Sequence, residues 1–147
     1  VKPPVQGHEW VKLGSQGVEW DFDVLVVAKP EVGFWSPFML AAARELVNQL
    51  HSHVVLKGVG SICITRNGKW HINTSGNPGL ASAGMGDVLA GLLGALLAQG
   101  AEPEQALLAG VHLHGLAADM LVGRDIGPRG LSASELILEL RQLINIH

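Results

Sequence analysis

Gly84-Met85-Gly86-Asp87 stands at the head of the apolar run Val88 to Ala98, directly after the small and turn-forming residues Gly76-Asn77-Pro78-Gly79-Leu80-Ala81-Ser82-Ala83. Glycines let a backbone approach a ligand closely, and the first N–H groups of a helix have no acceptor inside it, so a loop of this composition opening a helix can hold an anion. The helix dipole adds partial positive charge at the same point, and Gly84, Met85 and Gly86 could line an anion hole for a transferring phosphoryl group. Asp87 then falls in the first helical turn. A carboxylate is stabilised there, and beside a substrate hydroxyl it can accept that hydroxyl's proton. For the four residues alone, a capped and closely packed helix start explains the pattern equally well. Asn77-Pro78-Gly79 shifts the balance, because a structural cap needs one residue and this segment commits many to one approach.

Around this turn the chain spells alternating strands and helices. Phe38 to Leu50 carries Met39, Ala42, Ala43, Leu46 and Leu50 at helical spacing. Val54-Val55-Leu56 is a short apolar run ending in Lys57-Gly58, the pattern of a buried parallel strand entering a loop. Ser61 to Thr65 and Lys69 to Ile72 flank Asn67-Gly68, a strong hairpin signal. A helix is expected from Gly84 to Gln99, closed by Gly100 in the left-handed region. Its run Val88 to Ala98 reads as a buried helix, too short for the roughly 20 residues of a bilayer span. The next helix is expected to start at Pro103, a favoured first position, and to reach Leu121. Val122 to Leu131 reads as a loop. Ser132 to Glu135 has the capping-box pattern, ahead of a last helix with Leu136, Ile137, Leu140, Leu143 and Ile144 on its apolar face. One further strand is expected at Val24 to Ala28. Interleaved strands and helices indicate one α/β layer domain.

The 147 residues, 48% hydrophobic, suffice for one domain with a real core. A formal charge of -3 with no basic run gives no electrostatic reason to expect nucleic acid or an anionic membrane as partner. Cys63 is the single cysteine and sits in an alternating run, which points to inert core on a strand and to a reducing, cytoplasmic setting. No basic head, apolar core and cleavage site combine at the N-terminus, so export is not expected. Other polar residues read less sharply. Lys57 ends a buried-looking strand and must either snorkel or meet an anion. His112 and His114 do not share a helix face and read as surface or packing residues. Asp119 and Asp125 read as solvated or capping residues.

Three blocks carry a resemblance. These are Val55-Leu56-Lys57-Gly58-Val59-Gly60-Ser61, the long run Asn73 to Gly91, and His114-Gly115 together with Gly130-Leu131-Ser132-Ala133-Ser134-Glu135-Leu136. From about Val54 to Asn145 the sequence resembles the C-terminal half of ADP/ATP-dependent NAD(P)H-hydrate dehydratase, a metabolite-repair family of the ribokinase-like superfamily. The resemblance implies a three-layer α/β/α fold, present as a partial domain, with 38–147 as the nucleotide-binding region and 1–37 as a poorly legible segment. Lys57, Gly58, Val59, Gly60 and Ser61 would line the nucleotide site. Asn77, Pro78, Gly79, Leu80, Ala81, Ser82, Ala83, Gly84, Met85 and Gly86 would wrap the nucleotide and its phosphates. Asp87 would contact the substrate and serve as catalytic base.

That family phosphorylates the ring hydroxyl of hydrated NADH or NADPH (NADHX, NADPHX) and then eliminates phosphate, an ADP- or ATP-driven dehydration. The resemblance implies Mg2+, carried with the nucleotide, and an NAD(P)H-hydrate epimerase as functional partner; no metal site of the protein's own is expected. The chemistry suits the site, because phosphorylation turns hydroxide into a leaving group whose charge an anion hole can stabilise. The family's upstream Thr-Pro-His-Pro-Gly-Glu motif has at most an echo here in Gln6-Gly7-His8-Glu9 and Leu13-Gly14. A kinase of a small alcohol such as a vitamin precursor would use Asp87 in the same way, and a truncated, non-catalytic nucleotide-binding module would fit the missing motif. The small number of strands also predicts an exposed sheet edge, hence a homo-oligomer or poor solubility, with weak ADP binding and slow turnover by the chain alone.

Overall fold

The computed structural model describes residues 26–28, 37–58 and 60–145. Val59, the echo at Gln6 to Glu9 and Leu13-Gly14, the rest of 1–25 and of 29–36, and the side chain of Asp125 lie outside the described residues. Four three-residue strands form one sheet in the order β1 (Val26–Ala28), β2 (Val54–Leu56), β3 (Ile62–Ile64) and β4 (Trp70–Ile72). β1 runs parallel to β2, with α1 (Pro37–Leu50) as the crossover, and the other pairings are antiparallel. The Asn67-Gly68 turn closes the β3–β4 hairpin: Gly68 takes a positive φ of 84°, and its N–H reaches the Thr65 carbonyl at 2.8 Å.

The pleat divides β2 and β3 between two cores. Val54, Leu56, Ile62 and Ile64 pack on Ala43 and Val47 of α1, with Met39, Leu40 and Leu46 at the margin. Leu50 and Ala42, expected on that stripe, are exposed, and the contact with the sheet runs through Ala43 and Val47 instead. Val55 and Cys63 face the other way, onto Leu89 and Leu93 of α2 (Met85–Ala98) and Leu107 and Val111 of α3 (Pro103–Leu121). Helices therefore cover both faces of the sheet, giving three layers. Burial pushes the Cys63 thiol up to about 12, as an inert core cysteine requires. A third cluster joins Met85, Ala117, Ala118, Leu121 and Leu131 to Leu136 and Leu140 of α4 (Ala133–Ile144). The capping box at the head of α4 forms as expected, with the Ser132 N–H donating to Glu135 Oε2 at 2.9 Å.

Ile137 and Ile144, expected on the apolar face of α4, are exposed, and two further expectations need correction. α2 is not buried all round: Met85, Leu89 and Leu93 are covered, while Ala90, Gly91, Gly94 and Ala95 face solvent. Alanine and glycine count as apolar in composition but leave little area to hide, so that face needs no cover. Val122 to Leu131 is not loop throughout. Its first five residues, Val122–Ile126, continue α3 as a π turn and end at Gly127, whose φ of 75° is left-handed. That turn brings the Arg124 guanidinium onto Glu139 of α4 through two contacts of 2.8 Å, and the carboxylate it meets is only 2% exposed. α3 with this turn, Pro103–Arg124, is long and apolar enough to cross a membrane by length and composition alone. Its apolar side chains supply the second and third core clusters.

Candidate active site

The glycine-rich loop between β4 and α2 is laid along α3. Ser75 Oγ lies 2.9 Å from the His112 carbonyl oxygen and 3.0 Å from Asn73 Oδ1. The Gly76 N–H donates to Asp119 Oδ2 at 2.7 Å, and Asn77 Nδ2 donates to Asp119 Oδ1 at 3.0 Å. Asn77 Oδ1 in turn accepts the Gly79 N–H at 3.0 Å and caps the 3-10 turn Pro78–Ala81. The approach to α3 is close enough to require glycine at position 115: a Cβ there would fall 2.2 Å from Ser75 Oγ and 2.7 Å from the Ser75 carbonyl carbon and oxygen.

The loop hands over to α2 at Gly84, whose φ of 80° makes it a left-handed N-cap without a side chain to bond the helix. The first intrahelical bond runs from Val88 N–H to Gly84 O, so the amides of Met85, Gly86 and Asp87 precede the ladder and have no acceptor within the helix. Lys57, at the end of β2, reaches this turn: a Cβ built on Gly86 would stand 3.6 Å from Lys57 Nζ. A cationic side chain and the positive end of a helix thus meet at one point, an arrangement that favours a phosphate or another anion. Asp87 is solvent-exposed in the same first turn.

His114 supports the turn from below. Its Nε2 lies 2.8 Å from the Met85 carbonyl oxygen, which fixes the proton on Nε2. Burial drives its pKa down to about 4, the Met85 hydrogen bond opposing and the Lys57 charge reinforcing the shift, so the ring is neutral at neutral pH.

Not every expected site residue can contact a nucleotide in the same way. Lys57 reaches Gly86, Asp87 is the next residue of that helical turn, and Gly58, Gly60 and Ser61 follow Lys57 in the β2–β3 connection. Ala81, Ser82 and Ala83 are exposed along the loop, as is Pro78. Gly79 is buried, Leu80 packs against the third core cluster and the Met85 side chain is fully buried within it, so these three offer only main chain. Both ends of the Asn77 amide are engaged within the protein. Asp119 and His114, read from sequence as solvated and packing residues, are the polar groups that hold the loop and the turn. Their spacing relative to Gly115 on one helix was the only available signal. Two surface hollows lie away from this site, one along α4 at Leu138, Arg141, Gln142 and Asn145, the other between the hairpin tip and the start of α3 at His53, Arg66 and Glu102.

The sequence model of the family described as NAD(P)H-hydrate dehydratase matches residues 36–140. The chain is 42% identical over 106 residues to the bifunctional NAD(P)H-hydrate repair enzyme of Escherichia coli, a match covering 72% of this chain and 20% of that one. Among solved structures, the ADP/ATP-dependent NAD(P)H-hydrate dehydratase of Bacillus subtilis, co-crystallised with ATP and Mg2+, superposes with a TM-score of 0.71 at 28% identity, covering 82% of this chain and 46% of that one. A ribokinase-like superfamily protein from Enterococcus faecalis gives a TM-score of 0.58 at 33% identity, over 70% of this chain and 34% of its own. The three layers described above are those of the ribokinase-like fold. The chain spans about a fifth of the Escherichia coli relative and just under half of the Bacillus subtilis one.

Proposed function

The chain belongs to the NAD(P)H-hydrate dehydratase family, and on that premise we propose that it supplies the nucleotide-binding and phosphoryl-transfer half of an ADP- or ATP-driven dehydratase of hydrated NADH and NADPH. The observation that carries the reading is the meeting of Lys57 with the amide turn at Gly86, one residue before Asp87. Lys57 and the amides of Met85, Gly86 and Asp87 would bind the nucleotide's terminal phosphates and stabilise charge as the phosphoryl group moves. Asp87 would take the proton from the ring hydroxyl of the hydrated dinucleotide. Once phosphorylated, that oxygen leaves as phosphate with the C–O electron pair, the neighbouring ring carbon gives up a proton, and the C=C bond of the dihydronicotinamide is restored.

Mg2+ fits this site as an ion carried by the nucleotide. Among the described residues no group of three His, Cys, Asp or Glu side chains is placed to cage a metal. Mg2+ is usually held through substrate phosphates, water and only one or two carboxylates, and the exposed Asp87 is the carboxylate at this turn. When bound, Mg2+ would neutralise phosphate charge. An NAD(P)H-hydrate epimerase is the functional partner in this reading, and the cytoplasm, where Cys63 stays reduced, is its place.

Incubating the full chain with hydrated NADH, ADP or ATP, and Mg2+ tests the reading through the return of dihydronicotinamide absorbance. Turnover is expected to depend on Asp87. Asp87→Asn keeps the shape and cannot accept the proton, so it should lower the rate by about 10²- to 10⁴-fold with nucleotide affinity nearly unchanged. A rate indifferent to that substitution would remove Asp87 from the mechanism.

A further inference from the structure

We propose that Asp119 is a positioning residue for the nucleotide loop, acting through Asn77. The clamp itself is read from geometry; its effect on affinity rests on the nucleotide reading above.

His112, Gly115 and Asp119 follow one another at i, i+3 and i+7, so they share one stripe of α3. Ser75, Gly76 and Asn77 run along that stripe. Ser75 meets the carbonyl of His112 and the bare Cα of Gly115, and Gly76 and Asn77 both end on Asp119. The polarity of the last contacts is fully determined. The Gly79 N–H is a donor and cannot be anything else, so the Asn77 atom facing it is the carbonyl oxygen. The other end of that amide, facing Asp119, is therefore NH₂. The Gly76 N–H is likewise a donor. Residue 119 must consequently accept at both of its terminal atoms, and an ionised carboxylate does so whereas an amide cannot.

The relay from Asp119 through Asn77 to Gly79 fixes the main chain at Gly76, at Asn77 and at the start of the 3-10 turn. The loop's exposed stretch and the Gly84 cap follow directly. With Oδ1 on Gly79 and one Nδ2 hydrogen on Asp119, the Asn77 amide is held in one orientation. A helix residue 42 positions away in sequence thereby decides where the loop's amides point.

Three variants of the full chain separate this role from general support of the fold. Asp119→Asn presents an amino group to one of two donors, and Asn77→Asp sets two carboxylates against each other. The double variant restores every bond, with the polarity reversed only between the two side chains: the amide now at position 119 accepts from Gly76 and donates to the carboxylate now at position 77, which still accepts from Gly79. Amide hydrogen exchange at Gly76 and Gly79, measured without nucleotide, should quicken about tenfold or more in each single variant and return to within about threefold of the native rate in the double, tenfold being the loss of one charge-assisted bond. ADP affinity, measured by calorimetry well below the unfolding temperature, should fall about tenfold in Asp119→Asn. If that variant does not fold, Asn77→Asp and the double variant carry the same comparison. Native exchange and native ADP affinity in Asp119→Asn would overturn the proposal, as would a double variant that merely adds the losses of the singles. A native chain that binds no ADP while its variants still show the exchange pattern would remove the nucleotide reading and leave the clamp standing.

Discussion

One substitution, glycine to alanine, made at three helical positions, should have three different outcomes. In a helix interior alanine gains about 0.8–1 kcal/mol over glycine wherever space allows. Gly94, on the exposed face of α2, has nothing within 4 Å of its Cβ position, so Gly94→Ala should stabilise by most of that amount. Gly110 of α3 faces Leu93 of α2, with the added carbon 2.4 Å from Cδ2 and 3.3 Å from Cγ. Those atoms end a side chain that can turn, and overpacking of about 1–2 kcal/mol set against the helix gain leaves Gly110→Ala near neutral or about 1 kcal/mol destabilised. Gly115 meets Ser75 Oγ at 2.2 Å and the Ser75 carbonyl carbon and oxygen at 2.7 Å, and that main chain is tied to Asp119 one residue later. Overpacking there should reach about 3 kcal/mol, with roughly 1 kcal/mol more for the Ser75–His112 hydrogen bond, leaving Gly115→Ala about 3 kcal/mol less stable after the helix gain. Urea unfolding of the three variants at one pH measures all of this. A Gly115→Ala protein as stable as Gly94→Ala would refute the close docking of the loop on α3.

Three other outcomes follow from particular contacts. Gly86→Val meets only Lys57 Nζ at 3.6 Å, so its stability should change by less than about 1 kcal/mol while ADP affinity falls, since the branched side chain stands over the amide turn; unchanged affinity, read by calorimetry, would place the phosphates elsewhere. His114 titrates at about 4 when folded against 6.5 when unfolded, so its stabilising contribution is complete above about pH 6.5 and drains as pH falls towards 4, by at most about 3 kcal/mol. His114→Gln should flatten unfolding free energy across that interval, and an identical slope would assign the titration to another group. β4 ends the strand order with Trp70 49% and Ile72 43% exposed, so self-association seen in sedimentation should weaken in Ile72→Lys; a native chain that stays monomeric at all concentrations would contradict it.

Local signals were the ones that could be read along the chain. Asn67-Gly68 marks its hairpin because the turn needs those residue types, Pro103 opens α3 because its missing N–H costs nothing there, and Ser132 with Glu135 caps α4 within four residues. The glycine-rich turn was legible for the same reason, since its conformation is written in its own residues. What could not be read depended on partners distant in sequence. Asp119 is one polar residue on an apolar helix until Gly76 and Asn77 are brought to it, and His114 is one histidine until Met85 is. Arg124 meets Glu139 only because a π turn adds a residue to the helical repeat, which no periodicity foretells. Which loop residues turn inward, Leu80 and Met85 among them, is likewise decided by the third core cluster and not by the motif that contains them.

The placement of Cys63 makes the protein a reporter of its own opening. The thiol is the only one in the chain, 1% exposed, and held by burial at about 12 at the centre of β3. The closed form holds the thiol protonated, and the sulfur is packed against Leu89, Leu93, Leu107 and Val111, so an alkylating reagent meets it when the sheet parts from those helices. The rate at which iodoacetamide marks this chain is therefore a count of how often its middle layer comes apart. A single labelled mass, with no competing site, gives that frequency for any ligand or variant.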